Sequence, residues 1–358
     1  MGTAQRVRRA GLATVAALVI GGSGVAIGAA AADSSASGTA TAAAATAMPG
    51  PATPGPASYA SVVRQVLPSV VLIRTGNGLG SGVLLDRSGN IVTNAHVAGN
   101  ATNFQVQVAG DTAPRSARLV GSYPPDDLAV IRADNPAGLQ PATFGDSDTV
   151  QAGDVVLAIG NPLGLSGSVT QGIISATDRA VTEPSADGSP AATLPGAIQT
   201  SAPINPGNSG GALVSTSGQV VGIPTLAAGS PQGGGQAQGI GFAIPSNLAR
   251  DIATQIIDTG HVTNSHRAAL GAEVATVLGA DGTTGGVGVV VVTSGGGAER
   301  AGLRPGDVIK SVAGTQIPDT TALTQALAAA KPGDQVTVTI SRAGQDQDVQ
   351  VTLGELGG

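Results

Sequence analysis

The chain has 358 residues, of which 41% are hydrophobic and 11% charged, a composition that excludes a disordered protein and favours two domains. Its formal net charge of -6, with no basic tract beyond the first ten residues, argues against nucleic acid as a partner. The chain has no Cys and only three His, so thiol chemistry is excluded and neither a metal nor a cofactor is predicted. Any catalysis must therefore use Ser, His and carboxylates.

The first 32 residues have the pattern of an export signal, because several Arg precede an uncharged stretch over 10–32. Ala30, Ala31 and Ala32 offer a signal peptidase site, whereas the 23 uncharged residues are also long enough to stay as a membrane anchor. Both outcomes remain open. The general secretory signal is favoured over a twin-arginine signal, because no bulky apolar residues follow Arg8 and Arg9. Either way, the rest of the chain is expected outside the cytoplasm, in the cell envelope or secreted.

A linker and then a β-rich region follow the export signal. Residues 33–58 are almost wholly Ala, Thr, Ser, Pro and Gly, which cannot form a core, so folded structure is predicted to begin near Tyr59. About a dozen short β-favouring runs, among them Val70 to Arg74 and Val169 to Ala176, then recur between turn residues, which favours a mainly β sandwich or barrel pair. Apolar residues at helical spacing over 246–257 predict a helix that closes this domain, with Ser246 as its N-cap.

Three short motifs in this region carry polar groups suited to catalysis. His96 ends a β-run, and Asp127 directly precedes a strand that should be buried; each alone is a weak signal. The third motif is more demanding, because glycines around Ser209 let the backbone bend until amide N–H groups converge beside its hydroxyl. The backbone of Gly207, Asn208 and Ser209 is therefore the predicted oxyanion hole, with Gly207 and Ser209 as donors.

These three side chains supply the parts of a Ser-His-Asp triad. A Ser hydroxyl becomes nucleophilic when an imidazole takes its proton, and that imidazole needs a carboxylate to fix its tautomer. The residues His96, Asp127 and Ser209 occur in the chain order of the chymotrypsin-like double barrel.

Five motifs together resemble the HtrA/Deg family of trypsin-fold serine proteases: TNAHV (93–97), DDLAVI (126–131), AIGNPLGLSGSVTQGIISA (158–176), INPGNSGGALV (204–214) and GIGFAIP (239–245). The resemblance implies a chymotrypsin-like double six-stranded antiparallel β-barrel over 59–252 and a connection over 253–267. It implies an ATP-independent endopeptidase of exported protein quality control, acting on unfolded or partly folded proteins and assembled as a homotrimer. By motif match His96 is the general base, Asp127 its orienting acid and Ser209 the nucleophile, with Asp126 a structural neighbour.

The segment 268–356 mixes strands and short helices around AERAGLRPGDVIKSVAG (298–314) and resembles a small α+β PDZ domain. Such domains bind extended C-terminal peptides by strand addition, and loop N–H groups hold the peptide carboxylate. The resemblance places that loop at Ala269, Leu270, Gly271 and Ala272. Within this segment, Asp319 is the predicted cap of a helix over 320–330.

The substrate pocket is predicted to take small or medium aliphatic side chains. No acidic residue occurs from Gln199 to Ser209, whereas a pocket for Arg or Lys would need a buried counter-charge. An acid reaching the pocket from another loop is the alternative.

Parts of the sequence are compatible with two other functions. The segment around Ser209 also satisfies G-x-S-x-G, the nucleophile elbow of α/β-hydrolases, in which Asp251 or Asp258 and then His261 or His266 would complete the triad. That motif must lead into a helix, yet the residues after Ser209 have the pattern of a hairpin. The other alternative is a tethered chaperone or PDZ scaffold without proteolysis. His261 and His266 are otherwise expected to be exposed residues of the connection.

Overall fold

The computed structural model describes residues 58–76, 78–108, 111, 113–161, 167–183, 192–205, 207–229, 236–278 and 283–357. The predicted export signal or anchor and nearly all of the predicted linker lie outside the described residues. Among the residues that are described, no helix is both long and apolar enough to cross a membrane.

Helix α1 (Tyr59–Val66) leads into a first closed barrel, and the four-residue helix α2 (Ala95–Ala98) follows its third strand. The barrel strands are β1 (Val70–Arg74), β2 (Leu79–Leu84), β3 (Asn90–Thr93), β4 (Asn103–Val108), β5 (Arg115–Tyr123) and β6 (Leu128–Ala133). They pair in the order β1-β2-β3-β6-β5-β4, all antiparallel. Its apolar core is built from alternate strand residues, among them Val71, Ile73 and Ile91.

A second closed barrel repeats this arrangement. Its strands are β7 (Val155–Gly160), β8 (Ser168–Glu183), β9 (Ala192–Thr200), β10 (Ala212–Ser215), β11 (Val220–Gly229) and β12 (Gln236–Pro245). They pair in the order β10-β11-β12-β9-β8-β7. The predicted double six-stranded barrel is confirmed, and each predicted β-run lies in or overlaps one of the twelve strands.

A shared apolar layer joins the barrels to helix α3 (Ser246–Thr259). Residues such as Val70 and Val92, on the outer face of first-barrel strands, pack in this layer with Leu157 and Ile159 of β7. The strands are therefore buried on both faces, which explains their nearly continuous apolar sequence. This layer brings the loops of the two barrels together.

The predicted cap of helix α3 was wrong by one residue. Pro245 is the N-cap, and Ser246 is the first helical residue. The Ser246 hydroxyl donates 2.9 Å to the carbonyl of Gly145, so it ties the helix to the segment between the barrels and is not free to cap its own helix. The apolar face itself is buried as predicted, and Gly260 ends the helix in a left-handed conformation.

The C-terminal region is a small sheet with two helices. Its elements are β13 (Ala268–Ala269), β14 (Ala272–Leu278), β15 (Thr284–Val292), α4 (Gly297–Arg300), β16 (Val308–Val312), β17 (Thr315–Gln316), α5 (Thr320–Ala328), β18 (Gln335–Arg342), β19 (Gln345–Thr352) and β20 (Gly354–Glu355). The sheet order is β14-β15-β16-β18-β19, so β14 is an edge strand. The predicted cap of α5 is confirmed, because the Asp319 side chain accepts from the N–H of Ala322.

Candidate active site

His96 and Asp127 form a closely bonded pair in the first barrel. The Nδ1 atom of His96 lies 2.8 Å from Asp127 Oδ2, and the His96 backbone N–H donates 2.9 Å to Oδ1 of the same carboxylate. Asp127 is 3% exposed and His96 29% exposed. With the carboxylate ionised, the imidazole proton is held on Nδ1, which leaves Nε2 as the basic nitrogen.

The backbone conformation of Asp127 directs its side chain toward His96. Asp127 follows the 3-10 turn Pro124–Asp126 and has a left-handed backbone with φ of 51°, a conformation that Asp tolerates better than most residues. Its carbonyl accepts from the N–H of Ala95 at 3.0 Å and from the Asn94 side chain at 3.1 Å. The turn and the start of helix α2 are thereby locked together.

Ser209 lies in a tight turn of the second barrel that touches the first. Gly210, directly after it, has φ of 78°, and a Cβ there would overlap the carbonyl of Ser81 and the hydroxyl of Thr93. The N–H of Ser81 donates 2.9 Å to the Ser209 carbonyl, and the N–H of Gly210 donates 2.9 Å to that of Pro224. The glycine predicted for backbone bending is thus also needed for the close approach of the two barrels.

Thr225, which sequence reasoning missed, links the predicted nucleophile to the predicted acid. Its carbonyl accepts from the Ser209 hydroxyl at 2.9 Å, and its own hydroxyl donates 2.5 Å to Asp127 Oδ2. Thr225 is 2% exposed. The structure therefore brings His96, Asp127 and Ser209 into one hydrogen-bonded cluster.

The structure removes Asn208 from the three residues predicted for the oxyanion hole. The N–H of Asn208 donates 2.9 Å to the carbonyl of Asn205, so Asn208 is not an available donor. Gly207 and Ser209, the two predicted donors, flank it. Gly207 has φ of 102°, which a residue with a side chain rarely adopts.

The α/β-hydrolase alternative fails on secondary structure. Ser209 leads into strand β10, not into a helix. His261 and His266 are exposed, as expected for the connection. His266 does pair with Asp251 at 3.2 Å, but both side chains of this pair are largely in solvent.

Comparisons with known proteins agree with this geometry. Residues 80–223 match the family described as a trypsin-like peptidase domain, and residues 264–353 match the PDZ domain family. The serine protease Do-like HtrA of Lactobacillus helveticus is 38% identical over 291 residues, covering 76% of this chain and 68% of that protein. The chain belongs to the HtrA family of serine proteases. The serine protease PepD of Mycobacterium tuberculosis strain H37Rv is 39% identical, covering 83% of this chain and 66% of PepD.

The solved structure of the HtrA-type protease AlgW with a decapeptide superposes with a TM-score of 0.55 at 34% identity, covering 84% of this chain and 99% of that one. Across the curated HtrA relatives compared, this chain spans between 53% and 68% of their own length.

Two carbonyl groups of the predicted carboxylate-binding loop accept hydrogen bonds from other parts of the PDZ domain. The carbonyl of Leu270 accepts from Ala298 at 2.6 Å, and that of Gly271 accepts from Thr293 at 2.9 Å. Leu270 is buried in the PDZ core, and Gly271 has φ of 77°. The loop therefore has a defined conformation directly before the edge strand β14.

Asp126, on the other side of the turn from His96, faces the connection to the PDZ domain. Its Oδ1 accepts from Arg267 at 2.9 Å, and Arg267 also donates 2.5 Å to the carbonyl of Pro125. Asp126 is fully buried, and its Oδ2 has no hydrogen-bond partner among the described residues. Burial raises the pKa of Asp126 to about 6, although Arg267 opposes the shift.

Proposed function

We propose that this protein is an ATP-independent serine endopeptidase in which His96, Asp127 and Ser209 form the catalytic triad. The observation that carries the proposal is the double role of Asp127: its carboxylate binds His96 and, through Thr225, is linked to Ser209. Asp127 orients the imidazole and stabilises its charged form. The Ser209 hydroxyl donates to the Thr225 carbonyl in this structure, and the proposed reaction requires it to donate to His96 instead.

The reaction proceeds through an acyl-enzyme. His96 takes the Ser209 proton as the oxygen attacks the peptide carbonyl carbon, and the N–H groups of Gly207 and Ser209 stabilise the oxyanion. The C–N bond then breaks as His96 delivers the proton to the leaving amine. Water, deprotonated by the same imidazole, releases the second product and restores Ser209.

The substrates proposed are unfolded or partly folded exported proteins cleaved after small or medium aliphatic residues. The absence of an acidic residue from Gln199 to Ser209 supports this preference. Within that stretch Ile204 is buried, and its side chain packs against Gly241 so closely that no Cβ would fit there. Ile204 belongs to an apolar cluster of the second barrel together with residues such as Val156 and Leu213.

The PDZ domain is proposed to bind extended or C-terminal peptides along β14, with the carboxylate held by Ala269, Leu270, Gly271 and Ala272. Support comes from the free edge of β14 and from the fixed conformation of the loop before it. The solved structures of the HtrA-type protease AlgW with a decapeptide and with a tripeptide support this proposal.

Export, domain limits and assembly complete the proposal. Residues 1–32 are proposed as signal peptide or anchor, 33–58 as linker, 59–252 as protease domain and 268–356 as PDZ domain. The names of two relatives, DegQ and DegP of Escherichia coli, describe them as periplasmic, which supports a location outside the cytoplasm. A homotrimer is proposed from the family resemblance, and sedimentation of the purified protein tests it.

One experiment tests the active site. A fluorophosphonate should label the parent protein but neither Ser209→Ala nor His96→Ala, whereas His266→Ala, which changes an exposed histidine, should be labelled like the parent. N-terminal sequencing of casein fragments then reports the residue preceding each cut. Labelling that survives Ser209→Ala would refute the triad, and cuts mainly after Arg or Lys would refute the pocket preference.

A further inference from the structure

Ser81 is a buried polar residue that the mechanism above does not use. It lies in the middle of β2, in the first barrel, and is 0% exposed. Its hydroxyl donates 2.5 Å to the carbonyl of Gly207, a residue 126 positions later in the chain. Its backbone N–H donates to the carbonyl of Ser209 at 2.9 Å. One residue of the first barrel thus holds two carbonyl groups of the nucleophile turn.

The Ser81 hydroxyl is itself held in place. It accepts 2.8 Å from the N–H of Asn161, and the Ser81 carbonyl accepts 2.6 Å from the Thr93 hydroxyl. The hydroxyl proton is therefore left for Gly207, and the bonds form a chain from Asn161 through Ser81 to Gly207. Hydrogen bonds in such buried chains polarise and strengthen one another.

The hydrogen bond from Ser81 to the Gly207 carbonyl holds the peptide group between Gly207 and Asn208, whose rotation is not restricted by a side chain at Gly207. The carbonyl of Gly207 and the N–H of Asn208 belong to one planar peptide group. Ser81 holds the carbonyl end, and the carbonyl of Asn205 holds the N–H end. The Gly207 N–H belongs to the preceding peptide group and the Ser209 N–H to the following one, so the Gly207–Asn208 plane is the rigid link between the two predicted donors. Since Gly207 has φ of 102° and no Cβ to restrict it, the outside bonds on this plane fix the geometry of that link.

We propose that Ser81 is a positioning residue for the oxyanion hole: its hydroxyl orients the Gly207–Asn208 peptide, and through it the N–H groups that receive the oxyanion. The inference rests on the proposed function. It assigns Ser81 no contact with the substrate, so its loss should weaken binding of the transition state more than binding of the substrate.

The test compares Ser81→Ala with Ser246→Ala in the full chain. Ser246 is a matched control, because it is also 0% exposed and its hydroxyl also donates to a glycine carbonyl, 2.9 Å away, but on helix α3. We expect Ser81→Ala to lower kcat roughly 10- to 100-fold, less than the roughly 10²- to 10³-fold typical of losing an oxyanion donor itself. KM should stay near the parent value. Ser246→Ala should lower Tm similarly and leave kcat unchanged once active sites are titrated.

A peptide boronic acid, which forms a tetrahedral adduct with the nucleophile, supplies a second measurement. Its affinity for Ser81→Ala should fall by about the same factor as kcat/KM. Ser81→Thr, which keeps a hydroxyl, should recover part of both; if that variant does not fold, Ser81→Ala decides alone.

Two results would overturn the inference in different ways. An active parent whose Ser81→Ala variant matches Ser246→Ala in kcat and in boronate affinity would refute the role of Ser81 and leave the triad intact. A parent that neither cleaves casein nor binds the boronate, and behaves like Ser209→Ala, would refute the proposed function and this inference with it.

Discussion

The two sides of the Pro124–Asp127 turn carry adjacent carboxylates in different surroundings. Asp127 points to the barrel junction and accepts three hydrogen bonds, two from His96 and one from Thr225. Asp126 points to the PDZ connection, where one cation, Arg267, contacts one of its oxygens and the other has no partner among the described residues. The same residue type, equally buried, is fully satisfied on one side and only partly on the other.

The difference separates a carboxylate that is held as an oriented acceptor, as the proposed catalytic role requires, from one whose charged form is disfavoured by burial. Three donors from fixed elements keep Asp127 as an oriented acceptor. Asp126 instead gains a raised pKa from burial that a single partner does not offset. The connection enters the PDZ domain one residue after Arg267, so this pair also joins the two folded parts.

The largest expected effect is the loss of activity on substitution of Asp127. Asp127→Asn should lower kcat by about 10⁴-fold, because an amide cannot stabilise the imidazolium and favours the wrong tautomer. Asn accepts the left-handed backbone at this position, so folding should be retained. Initial rates on a peptide substrate measure the loss. Asp126→Asn should keep the parent kcat per folded molecule, and an equal loss in both variants would end the distinction between the two carboxylates.

Arg267→Met should be the largest change in stability. Removing one partner of a buried ion pair leaves the other charge uncompensated, at a cost of about 3–5 kcal/mol in the free energy of unfolding. In the parent at pH 7.5 Asp126 is ionised and is stabilised by Arg267, so the full cost of losing Arg267 applies. Well below pH 6 Asp126 is protonated with or without Arg267, and the cost should shrink. Denaturant unfolding at pH 5 and 7.5 measures this.

Arg118→Met is the control for that measurement, because Arg118 pairs with Asp134 at 3.1 Å with both side chains exposed. Its cost should be small at both pH values. An Arg267→Met penalty that does not depend on pH would show that Asp126 does not titrate in this range.

Asp126→Asn should change how the free energy of unfolding depends on pH, by less than the loss expected for Arg267→Met. The folded-state pKa of Asp126, about 6, lies above its ordinary value of 3.8, so the folded protein binds this proton more tightly than the unfolded chain. The stabilising contribution is therefore present below about pH 4 and is lost as pH rises through 6, by up to roughly 3 kcal/mol. Asp126→Asn should lack this part of the pH dependence. Parallel curves of unfolding free energy against pH would contradict it.

Thr225→Val should give the smallest effect. Val keeps the shape and the backbone carbonyl that binds Ser209 but removes the donor to Asp127, so kcat should fall by about tenfold, the effect of roughly 1.4 kcal/mol in the transition state. Thr225→Ser keeps the donor and should retain activity. Fluorophosphonate labelling rates and steady-state kinetics measure both variants; equal labelling rates for the two would show that the Thr225 hydroxyl does not contribute to activity.

Local patterns predicted much of this fold because they report burial and turn chemistry. The strand predicted over Val70–Arg74 has those bounds in the structure, and Asp319 caps helix α5 as expected. Strand β8, predicted to end at Ala176, continues to Glu183 because it pairs with β9, and such pairing is not visible in local polarity. The prediction that Ser246 is the N-cap was wrong for a related reason: its hydroxyl donates to the carbonyl of Gly145, about a hundred residues away in the sequence.

The candidate site was only partly predictable. His96, Asp127 and Ser209 stand in motifs that can be matched one residue at a time. Ser81 and Thr225 lie in strands β2 and β11, just outside the β-favouring runs predicted there, and a small polar residue gives no local sign that it is buried and bonded across the barrel junction. A polar residue between two glycines, as at Ser81, was the one available signal of close packing.

The amino-acid sequence by itself determined the order of strands and turns and the residue types able to perform acyl transfer, because periodicity, glycine placement and side-chain chemistry are local properties. Tertiary structure alone decided which buried polar groups meet. Hydrogen-bond partners such as Ser81 and Gly207, or Thr225 and Asp127, lie about a hundred residues apart, and only closure of both barrels onto one apolar layer brings them within bonding distance.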